Sequence, residues 1–500
     1  MTAQAGILSD REGGSRWFRA LIAVLGAILT IRVLALAFNA TDLFFDEAQY
    51  WSWSLEPAFG YYSKPPLIAW VIRVATEICG DSEFCIRLPS PIIHSATALV
   101  IYGLAAQLYD RRTGFWSAVA FATLPGISLS AGIISTDVPL LFFWAVALYA
   151  LVRLIETDRW WPALLLGAAL GLGLNAKYAM AYFVMSSAIY ILVVPERRCL
   201  LRDVRLYGAL AIGLLLIAPN LAWNVQNSFA TLAHTAENAH WTGPLFHPNK
   251  ALEFFGAQFG VFGPILFGAL LAITWRAWKD GLPAPDRLLL AFALPVIVLV
   301  TMQAFLSRAH ANWAAVSYVS ATVLVTATMI RDKAWRWFNG SLALHAAILV
   351  ATGVATATAG AFRLPGGADP FARTLGWRAL AEETAAVLAG AREAGRPFGA
   401  VLTDDRSVTA ELLYYMRAEP TPVFAWREPG MRPRDHYELS RAYGRGSPEP
   451  VLLVSLRRSA GRLGDRFAVV EPLEDREVRV GGSAVRRVAF YRLEGFKHPE

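Results

Sequence analysis

Long apolar runs of about 18–22 residues alternate with short polar segments over the first 360 residues. Each run is long enough to cross a hydrocarbon core of about 30 Å as a helix, and a helix bonds the backbone polar groups that lipid leaves without partners. The pattern predicts about eleven transmembrane helices. They are expected near residues 17–38, 88–108, 114–133, 138–155, 160–175, 179–195, 206–223, 254–274, 288–306, 312–330 and 339–361.

The pattern changes after residue 361. Residues 362–500 carry many charges and short strand-like runs, interrupted by two helical stretches, which is typical of an α/β domain. The strand-like runs are at 399–403, 422–426, 451–455 and 485–491, and the helical stretches are at 375–392 and 406–417. We therefore predict an α-helical polytopic membrane domain over residues 1–361 and a small soluble α/β domain over 362–500.

The distribution of Lys and Arg predicts the orientation. Basic residues gather in alternate loops, which is typical of cytoplasmic loops. The N-terminus is then cytoplasmic, and an odd number of spans puts residues 362–500 on the outer side of the membrane. The first external loop, residues 40–87, is rich in Trp, Tyr and Phe. Such residues prefer the headgroup layer, so we expect short interfacial helices there.

Composition agrees with a membrane protein. Charged residues make up 17% of the chain and hydrophobic residues 55%, with a mean hydropathy of +0.41. A soluble domain usually carries about 25% charged residues. The net charge of +7 follows from the basic loops, and no basic-aromatic motif of nucleic-acid binding accompanies it.

The chain contains three cysteines. Cys79 and Cys85 lie in the first external loop, where an oxidising compartment would allow a disulfide. Two small buried apolar side chains are the alternative, and a zinc site lacks the usual cluster of Cys and His.

Acidic residues in the first external loop are the first candidates for chemistry. Asp46 and Glu47 stand among aromatic residues at a predicted membrane interface, where a carboxylate loses solvation and favours a partner. We assign both to a catalytic site. The alternative for Asp46 is an N-cap of a helix that starts near Glu47.

Lys64 precedes Pro65-Pro66, which stiffens the chain before a helix that begins at Leu67. The ammonium group is expected at the bilayer surface, where a lipid phosphate would lie, or else it snorkels to headgroups. Arg308 is a second candidate for binding phosphate, because a guanidinium binds phosphate oxygens in a bidentate way. Tyr61 and Tyr62 are grouped with Lys64 as candidates for the same site.

A second acid, Asp137, begins a predicted span on the same side as Asp46, either as a cap or as a catalytic carboxylate. The histidines of the later external loops, His234, His240, His247 and His310, are interpreted as loop residues rather than metal ligands. Further candidates for ligand binding in the external segments are Trp51, Asn224, His310, Asn312 and Trp313.

These motifs resemble one known family. The segments 46–51, 60–67, 87–90 and 135–140 resemble the GT-C glycosyltransferases, in particular the family-39-like, aminoarabinose-transferase-like and rhizobial galacturonosyltransferase groups. Segments 220–224 and 310–313 are similar to those of bacterial members. One position departs, because Ser63 stands where aminoarabinose transferases have Glu. No cofactor is assigned, and a divalent metal remains an alternative.

The resemblance implies an integral glycosyltransferase of a bacterial inner membrane, with its active site and residues 362–500 on the periplasmic side. Such an enzyme modifies lipopolysaccharide or another part of the cell envelope. It would move a sugar from a polyprenyl-phosphate donor to a lipid, glycan or protein acceptor, with inversion. Asp46 matches the catalytic base, Lys64 the donor-phosphate ligand and Asp137 the second acid. On this assignment Arg308, Tyr61 and Tyr62 also bind the donor phosphate. The residues expected to bind the acceptor or the sugar are Trp51, Asn224, His310, Asn312 and Trp313. A transporter or flippase, and a polymerase or ligase of lipid-linked glycans, remain alternatives. A transporter would favour polar residues at mid-membrane and internal repeats.

Overall fold

The computed structural model describes residues 2–238, 245–361 and 369–497, with side chains from residue 16 onward. It separates into two compact units. The first contains the chain up to Leu36, Lys64–Ile68 and Arg87–Gly353. The second contains Ala37–Ser63, Ala69–Ile86 and the chain from Val354 onward. This division differs from the predicted boundary after residue 361, because most of the first external loop belongs to the second unit.

The described chain before residue 361 is mostly helical. Its helices are α1 (Thr2–Ala37), α2 (Phe45–Leu55), α3 (Leu67–Cys79), α4 (Glu83–Arg87), α5 (Pro89–Leu108), α6 (Arg111–Thr123), α7 (Pro125–Ser130), α8 (Asp137–Glu156), α9 (Trp161–Ala176), α10 (Ala181–Val193), α11 (Val204–Gln226), α12 (Ala230–Glu237), α13 (Pro248–Val261), α14 (Pro264–Asp280), α15 (Ala284–Leu306), α16 (Ser317–Arg331) and α17 (Trp335–Ala357). Short 3-10 turns occupy Tyr178–Met180, Pro195–Arg202 and Ala311–Ala314.

Within the described ranges, six helical segments are long and apolar enough to cross a membrane. They are Arg16–Ala37, Glu83–Leu108, Asp137–Glu156, Val204–Gln226, Ala284–Leu306 and Trp335–Ala357. Shorter apolar helices cover Trp161–Ala176 and Tyr178–Val193. The predicted polytopic helical fold is confirmed, although some of the eleven predicted spans are shorter than a membrane-crossing helix.

Two predicted spans are interrupted at proline. The span predicted at 254–274 consists of α13 and α14, which meet at 115°. Gly263 has φ +87° between them, a conformation that favours glycine, and an added Cβ would lie 2.1 Å from His345 Nε2. The span predicted at 114–133 breaks before Pro125. The helix end leaves backbone carbonyls without partners, and the buried Arg32 donates to one of them, the carbonyl of Ala122.

The second unit contains a mixed β-sheet. Its strands are β1 (Ala400–Thr403), β2 (Val423–Ala425), β3 (Val451–Ser455), β4 (Phe467–Pro472), β5 (Arg476–Arg479) and β6 (Val485–Phe496), and its helices after residue 369 are α18 (Trp377–Glu393), α19 (Arg406–Tyr415), α20 (His436–Ser440) and α21 (Gly461–Gly464). The strand order is β2-β1-β3-β6-β4, with β5 paired to β6. Strand β1 is parallel to β2 and β3, whereas β6 is antiparallel to β3.

The sequence predicted four of these strands, and the structure confirms them. Both β1 and β3 are buried along their whole length, which explains their apolar runs. Strands β4 and β5 were missed. Strand β5 is polar apart from Val478, and β4 has a short apolar run, FAVV, that was not assigned to a strand. The predicted small C-terminal α/β domain is therefore correct in type. The predicted boundary itself adjoins residues 362–368, which lie outside the described ranges.

Hydrogen bonds explain why the first external loop belongs to the second unit. Asp42 Oδ2 accepts from the backbone N–H of Trp377 at 2.8 Å, at the first residue of α18. The Tyr415 hydroxyl accepts from the backbone N–H of Leu43 at 2.8 Å. Cys79 and Cys85 are joined in a disulfide, so the pairing left open by the sequence is present between α3 and α4.

Candidate functional site

Asp46 lies on the first turn of α2, but it does not cap the helix. The helix begins at Phe45, and the carboxylate of Glu47 accepts from the backbone N–H of Phe44 at 2.9 Å. This is the reciprocal contact that an acidic side chain makes at the third helical position. Glu47 is buried, at 1% exposure. The capping alternative for Asp46 is therefore wrong, and the capping contact belongs to Glu47.

Asp46 is instead paired with an arginine from the C-terminal part of the chain. Arg406 Nη1 lies 2.9 Å from Asp46 Oδ1 and 2.9 Å from Gln49 Oε1. The guanidinium carbon is 4.9 Å from the centroid of the Phe45 ring. Although burial acts to lower the pKa of Arg406, the charge and the hydrogen bond of Asp46 raise it. The Asp46 side chain retains 36% exposure, so its carboxylate is both oriented and accessible.

Arg406 reaches this position because of where β1 ends. The strand ends at Thr403, and Asp405 caps α19 by accepting from the backbone N–H of Ser407 at 2.8 Å. The cap fixes the first residue of the helix, which is Arg406. Sequence reasoning missed this residue. The sequence feature that could have indicated it is the apolar run of β1, which is followed closely by the helix-capping sequence Asp405-Arg406-Ser407.

The aromatic residues of the first external loop that were assigned to ligand binding pack inside the second unit. Trp51 Nε1 donates to Asp81 Oδ1 at 2.7 Å. The Tyr61 ring stacks on Trp53 at 4.6 Å, and its hydroxyl donates to the Trp53 carbonyl at 2.9 Å. The Tyr62 hydroxyl donates to the Pro433 carbonyl at 2.8 Å. These contacts hold the loop, and the ligand-binding roles of Trp51, Tyr61 and Tyr62 stay predictions.

In the first unit, Asp137 is the centre of a polar triad. Lys177 Nζ lies 2.7 Å from Asp137 Oδ1, and Asn312 Nδ2 donates to Asp137 Oδ2 at 2.7 Å. The side chains of Lys177 and Asp137 are 20% and 11% exposed. The structure thus brings together two predicted residues, Asp137 and Asn312. Sequence reasoning gave Lys177 no role, although it lies between the spans predicted at 160–175 and 179–195.

Asn224 belongs to a second polar cluster in the same unit. Its Nδ2 donates to the Tyr178 hydroxyl at 3.2 Å, and its Oδ1 accepts from the backbone N–H of Thr231 at 3.1 Å. The Tyr178 hydroxyl donates to Asn220 Oδ1 at 2.7 Å. Asn224 is fully buried, so these contacts tie α11 to α12. Its predicted role in acceptor binding stays a prediction.

Asn312 of the triad lies in the segment that follows α15. Arg308 and His310 are exposed there, and the ring of His310 meets Trp313 edge-on at 5.4 Å. Lys64 is half-buried and comes shortly before α3, which begins at Leu67 as predicted. The roles assigned to Lys64, Arg308, His310 and Trp313 stay predictions.

A metal site does not emerge from the part of the chain that the structure describes. No three His, Cys, Asp or Glu side chains converge there in a way that would hold a metal ion. His240 lies outside the described residues. The divalent metal considered from the sequence stays a prediction.

His436 is a titratable group next to the loop aromatics. Its ring is edge-on to Trp53 and Tyr61, with centroids 5.3 and 5.5 Å away. Burial lowers the pKa of His436 to about 4, because a charged imidazolium loses solvation among these rings. The folded protein therefore holds this imidazole neutral at physiological pH.

The neutral His436 should make stability depend on pH. Because its folded pKa is below the ordinary 6.5, its contribution is complete above pH 6.5 and is lost as the pH falls towards 4. The expected loss at about pH 5 is about 2 kcal/mol. We expect the melting temperature of the purified protein to fall by a few degrees between about pH 7 and pH 5. His436→Gln should reduce this fall, and an unchanged slope in the variant would contradict the assignment.

Comparisons with known proteins point to one family. Residues 63–223 match the family model described as dolichyl-phosphate-mannose-protein mannosyltransferase. The chain is 38% identical over 422 residues to the lipid A galacturonosyltransferase RgtD of Rhizobium johnstonii, covering 84% of this chain and 86% of that protein. It is 28% identical over 192 residues to the undecaprenyl phosphate-alpha-4-amino-4-deoxy-L-arabinose arabinosyl transferase of Pseudomonas savastanoi pv. phaseolicola, covering 37% of this chain and 34% of the relative.

The fold is also found among solved structures. The crystal structure of ArnT from Cupriavidus metallidurans bound to undecaprenyl phosphate superposes with a TM-score of 0.69. The match covers 96% of this chain and 99% of that chain, at 13% sequence identity. At this identity the similarity shows a common fold alone.

Proposed function

The chain belongs to the family of GT-C membrane glycosyltransferases that includes the lipid A galacturonosyltransferase RgtD, and from this premise we propose that it transfers a galacturonosyl residue to lipid A. It is a membrane glycosyltransferase with a polyprenyl-phosphate-linked donor. The predicted class of enzyme is therefore correct, and the transporter alternative is set aside. The sugar and the acceptor are the parts that we propose.

The proposed mechanism rests on the contacts and the exposure of the Asp46 carboxylate. Its carboxylate is held by Arg406, is not used for helix capping and is still accessible at 36% exposure. A hydroxyl is a poor nucleophile at neutral pH, so transfer needs a base at the acceptor oxygen. We assign that base to Asp46. The acceptor oxygen bonds to C1 of the sugar, the bond from C1 to the phosphate oxygen breaks, and the hydroxyl proton passes to Asp46 with inversion at C1.

The leaving phosphate needs positive charge. Lys64 and Arg308 are proposed for this role, since cations that meet developing phosphate charge lower the barrier. Asp137 is proposed to act with Lys177 and Asn312 as a second polar centre, in which the carboxylate orients the ammonium group. The ammonium of Lys177 can then receive an anionic or hydroxyl group of a substrate.

The reaction is proposed to take place on the periplasmic face of the inner membrane, with a cytoplasmic N-terminus. The Lys and Arg bias of the loops supports this orientation. The disulfide between Cys79 and Cys85 supports it as well, because disulfides persist in oxidising compartments. Reporter fusions after residue 36 and at the C-terminus would test it, and a cytoplasmic signal from both would contradict it.

Donor choice is the direct test of the proposed function. Purified protein in lipid nanodiscs would receive polyprenyl-phosphate galacturonate, or the corresponding glucose or aminoarabinose donor, with lipid A as acceptor. We expect the galacturonate donor to be preferred by at least about tenfold in kcat/KM, which corresponds to about 1.4 kcal/mol. Mass spectrometry would identify the product. Equal or greater transfer from the glucose donor would overturn the proposed sugar but not the class of reaction.

A further inference from the structure

The parallel strands β1 and β3 end at the same edge of the sheet, the one formed by their carboxyl ends. These two strands are parallel, and the next neighbour of β3, strand β6, runs antiparallel. Ligands of open α/β sheets bind beyond the carboxyl ends of such strands. The chain leaves this edge at Asp404 after β1 and at Leu456 after β3.

Four arginines surround a concavity at this edge. A cavity of about 430 Å³ is lined by Leu456, Arg457, Arg458, Arg486 and Arg487, which we call the arginine cleft. No acidic residue among the described residues lines it. Arg457 and Arg458 follow β3 after Leu456, and Arg486 and Arg487 are the second and third residues of β6. Since Ser455 is in register with Ala489, the two pairs come from adjacent strands.

One arginine of the cleft is fixed in place. Arg486 lies over the Trp377 ring, 3.7 Å from its centroid, and Nη1 donates to the Leu375 carbonyl at 3.2 Å. Burial lowers the pKa of Arg486, because its cation is poorly solvated. An anion bound in the cleft would stabilise the charged guanidinium of Arg486. Binding would cost little conformational entropy at this side chain, because it is already held in place.

Within the part of the chain that the structure describes, Arg457 and Arg487 make only long contacts with carboxylates. Arg457 Nε is 3.4 Å from Asp404, and Arg487 is 3.9 Å from Asp475 and 3.5 Å from Glu477. Elsewhere in this unit arginines form close pairs, and Arg392 Nη2 is 2.7 and 2.8 Å from the two oxygens of Glu419.

Arg457 and Arg487 are also 70% and 54% exposed. Their guanidinium groups are therefore available for bidentate hydrogen bonds, which suit phosphate and carboxylate better than a lysine ammonium does.

Arg406, which pairs with Asp46, follows β1 at the same edge of the sheet. Ser455 Oγ donates to Asp404 Oδ2 at 2.9 Å, and Arg406 follows two residues later. We propose that the arginine cleft binds a phosphate group of an anionic glycolipid acceptor. This inference rests on the proposed function, because it supplies that reaction with an acceptor-binding site. The ligand chemistry is phosphate, whether it belongs to a glycolipid or is free in solution.

Binding can be measured without turnover. The probe is the deacylated, bisphosphorylated glucosamine disaccharide of lipid A, titrated into the full-length protein in nanodiscs, with the dephosphorylated disaccharide and inorganic phosphate as separate arms. We expect the bisphosphorylated probe to bind, and the double variant Arg457→Gln/Arg458→Gln to weaken it at least about tenfold, as expected for loss of charge-assisted hydrogen bonds. Arg396→Gln is the matched control, an exposed arginine paired with Glu471 of the same unit.

The outcomes separate the two proposals. The double variant should raise the KM of phosphorylated acceptor about tenfold in the transfer assay. Equal binding of the bisphosphorylated probe to wild type and double variant, with melting temperatures unchanged, would overturn the cleft. Inorganic phosphate that binds as tightly as the disaccharide would assign the cleft to free anions and overturn its acceptor role. If the double variant melts early, Arg487→Gln repeats the test. Wild-type protein that binds the probe but transfers no galacturonate would overturn the proposed sugar and leave the cleft standing.

Discussion

Replacement of Asp46 by Asn is expected to lower the rate of sugar transfer by about 10²–10⁴-fold, the usual contribution of a general base. The amide cannot accept the proton of the acceptor hydroxyl, so the base is lost. The amide oxygen can still accept the hydrogen bond that Arg406 donates at 2.9 Å, so the helix should keep its place. Single-turnover transfer with a saturating donor measures the effect on the chemical step.

Glu56→Gln is the matched control for Asp46→Asn. Glu56 is at the end of the same helix, is 66% exposed and pairs with Arg441. Removal of its charge should change transfer less than about twofold, since an exposed ion pair contributes about 0–1 kcal/mol. Full activity of Asp46→Asn would remove Asp46 from the mechanism. An equal loss in both variants would indicate an effect of net charge.

Replacement of Lys177 by Met is expected to affect both stability and activity. The ammonium lies 2.7 Å from Asp137 in a largely buried pair. Among the described residues, its removal leaves the carboxylate with only the Asn312 hydrogen bond. Breaking a fully buried pair costs about 3–5 kcal/mol. With 20% and 11% exposure of the two side chains, we expect about 2 kcal/mol. Thermal unfolding in detergent and the transfer assay would measure the two effects, with transfer reduced at least about 10²-fold.

Lys250→Met is the matched control for Lys177→Met. Lys250 forms an exposed pair with Glu253, in which the side chains are 47% and 69% exposed. Its loss should shift stability by less than about 0.5 kcal/mol. The double variant Asp137→Asn/Lys177→Met should recover part of the lost stability, because no unpaired charge remains. A melting temperature of Lys177→Met equal to that of wild type would show that the pair contributes nothing.

The positions of the helices and of several strands could be predicted from the sequence. A membrane-spanning helix is recognised by the length and hydropathy of its apolar run. A buried parallel strand such as β3 is recognised by a continuous apolar run. Both signals are local. Strand β5 lacked such a signal because its residues are polar apart from Val478, and the apolar run of β4 is short and ends at Glu471. The proline-linked breaks at 125 and 264 were also missed, since the apolar runs continue across them.

Candidate residues could be found from the sequence, but their partners could not. Asp46 and Asp137 stood out as acids in apolar surroundings. Arg406 lies 360 positions from Asp46, and Lys177 lies 40 positions from Asp137, so no local pattern joins them.

The sequence by itself determined the membrane fold, the α/β domain and the acids available for catalysis. These features depend on hydrophobic periodicity and residue type, which can be read from neighbouring residues along the chain. Only the tertiary structure decided that Glu47 rather than Asp46 makes the helix-capping contact, that Arg406 orients Asp46, and that arginines of β3 and β6 form one cleft. Hydrogen bonds and ion pairs act over about 3 Å in space, and only folding sets which distant residues come that close.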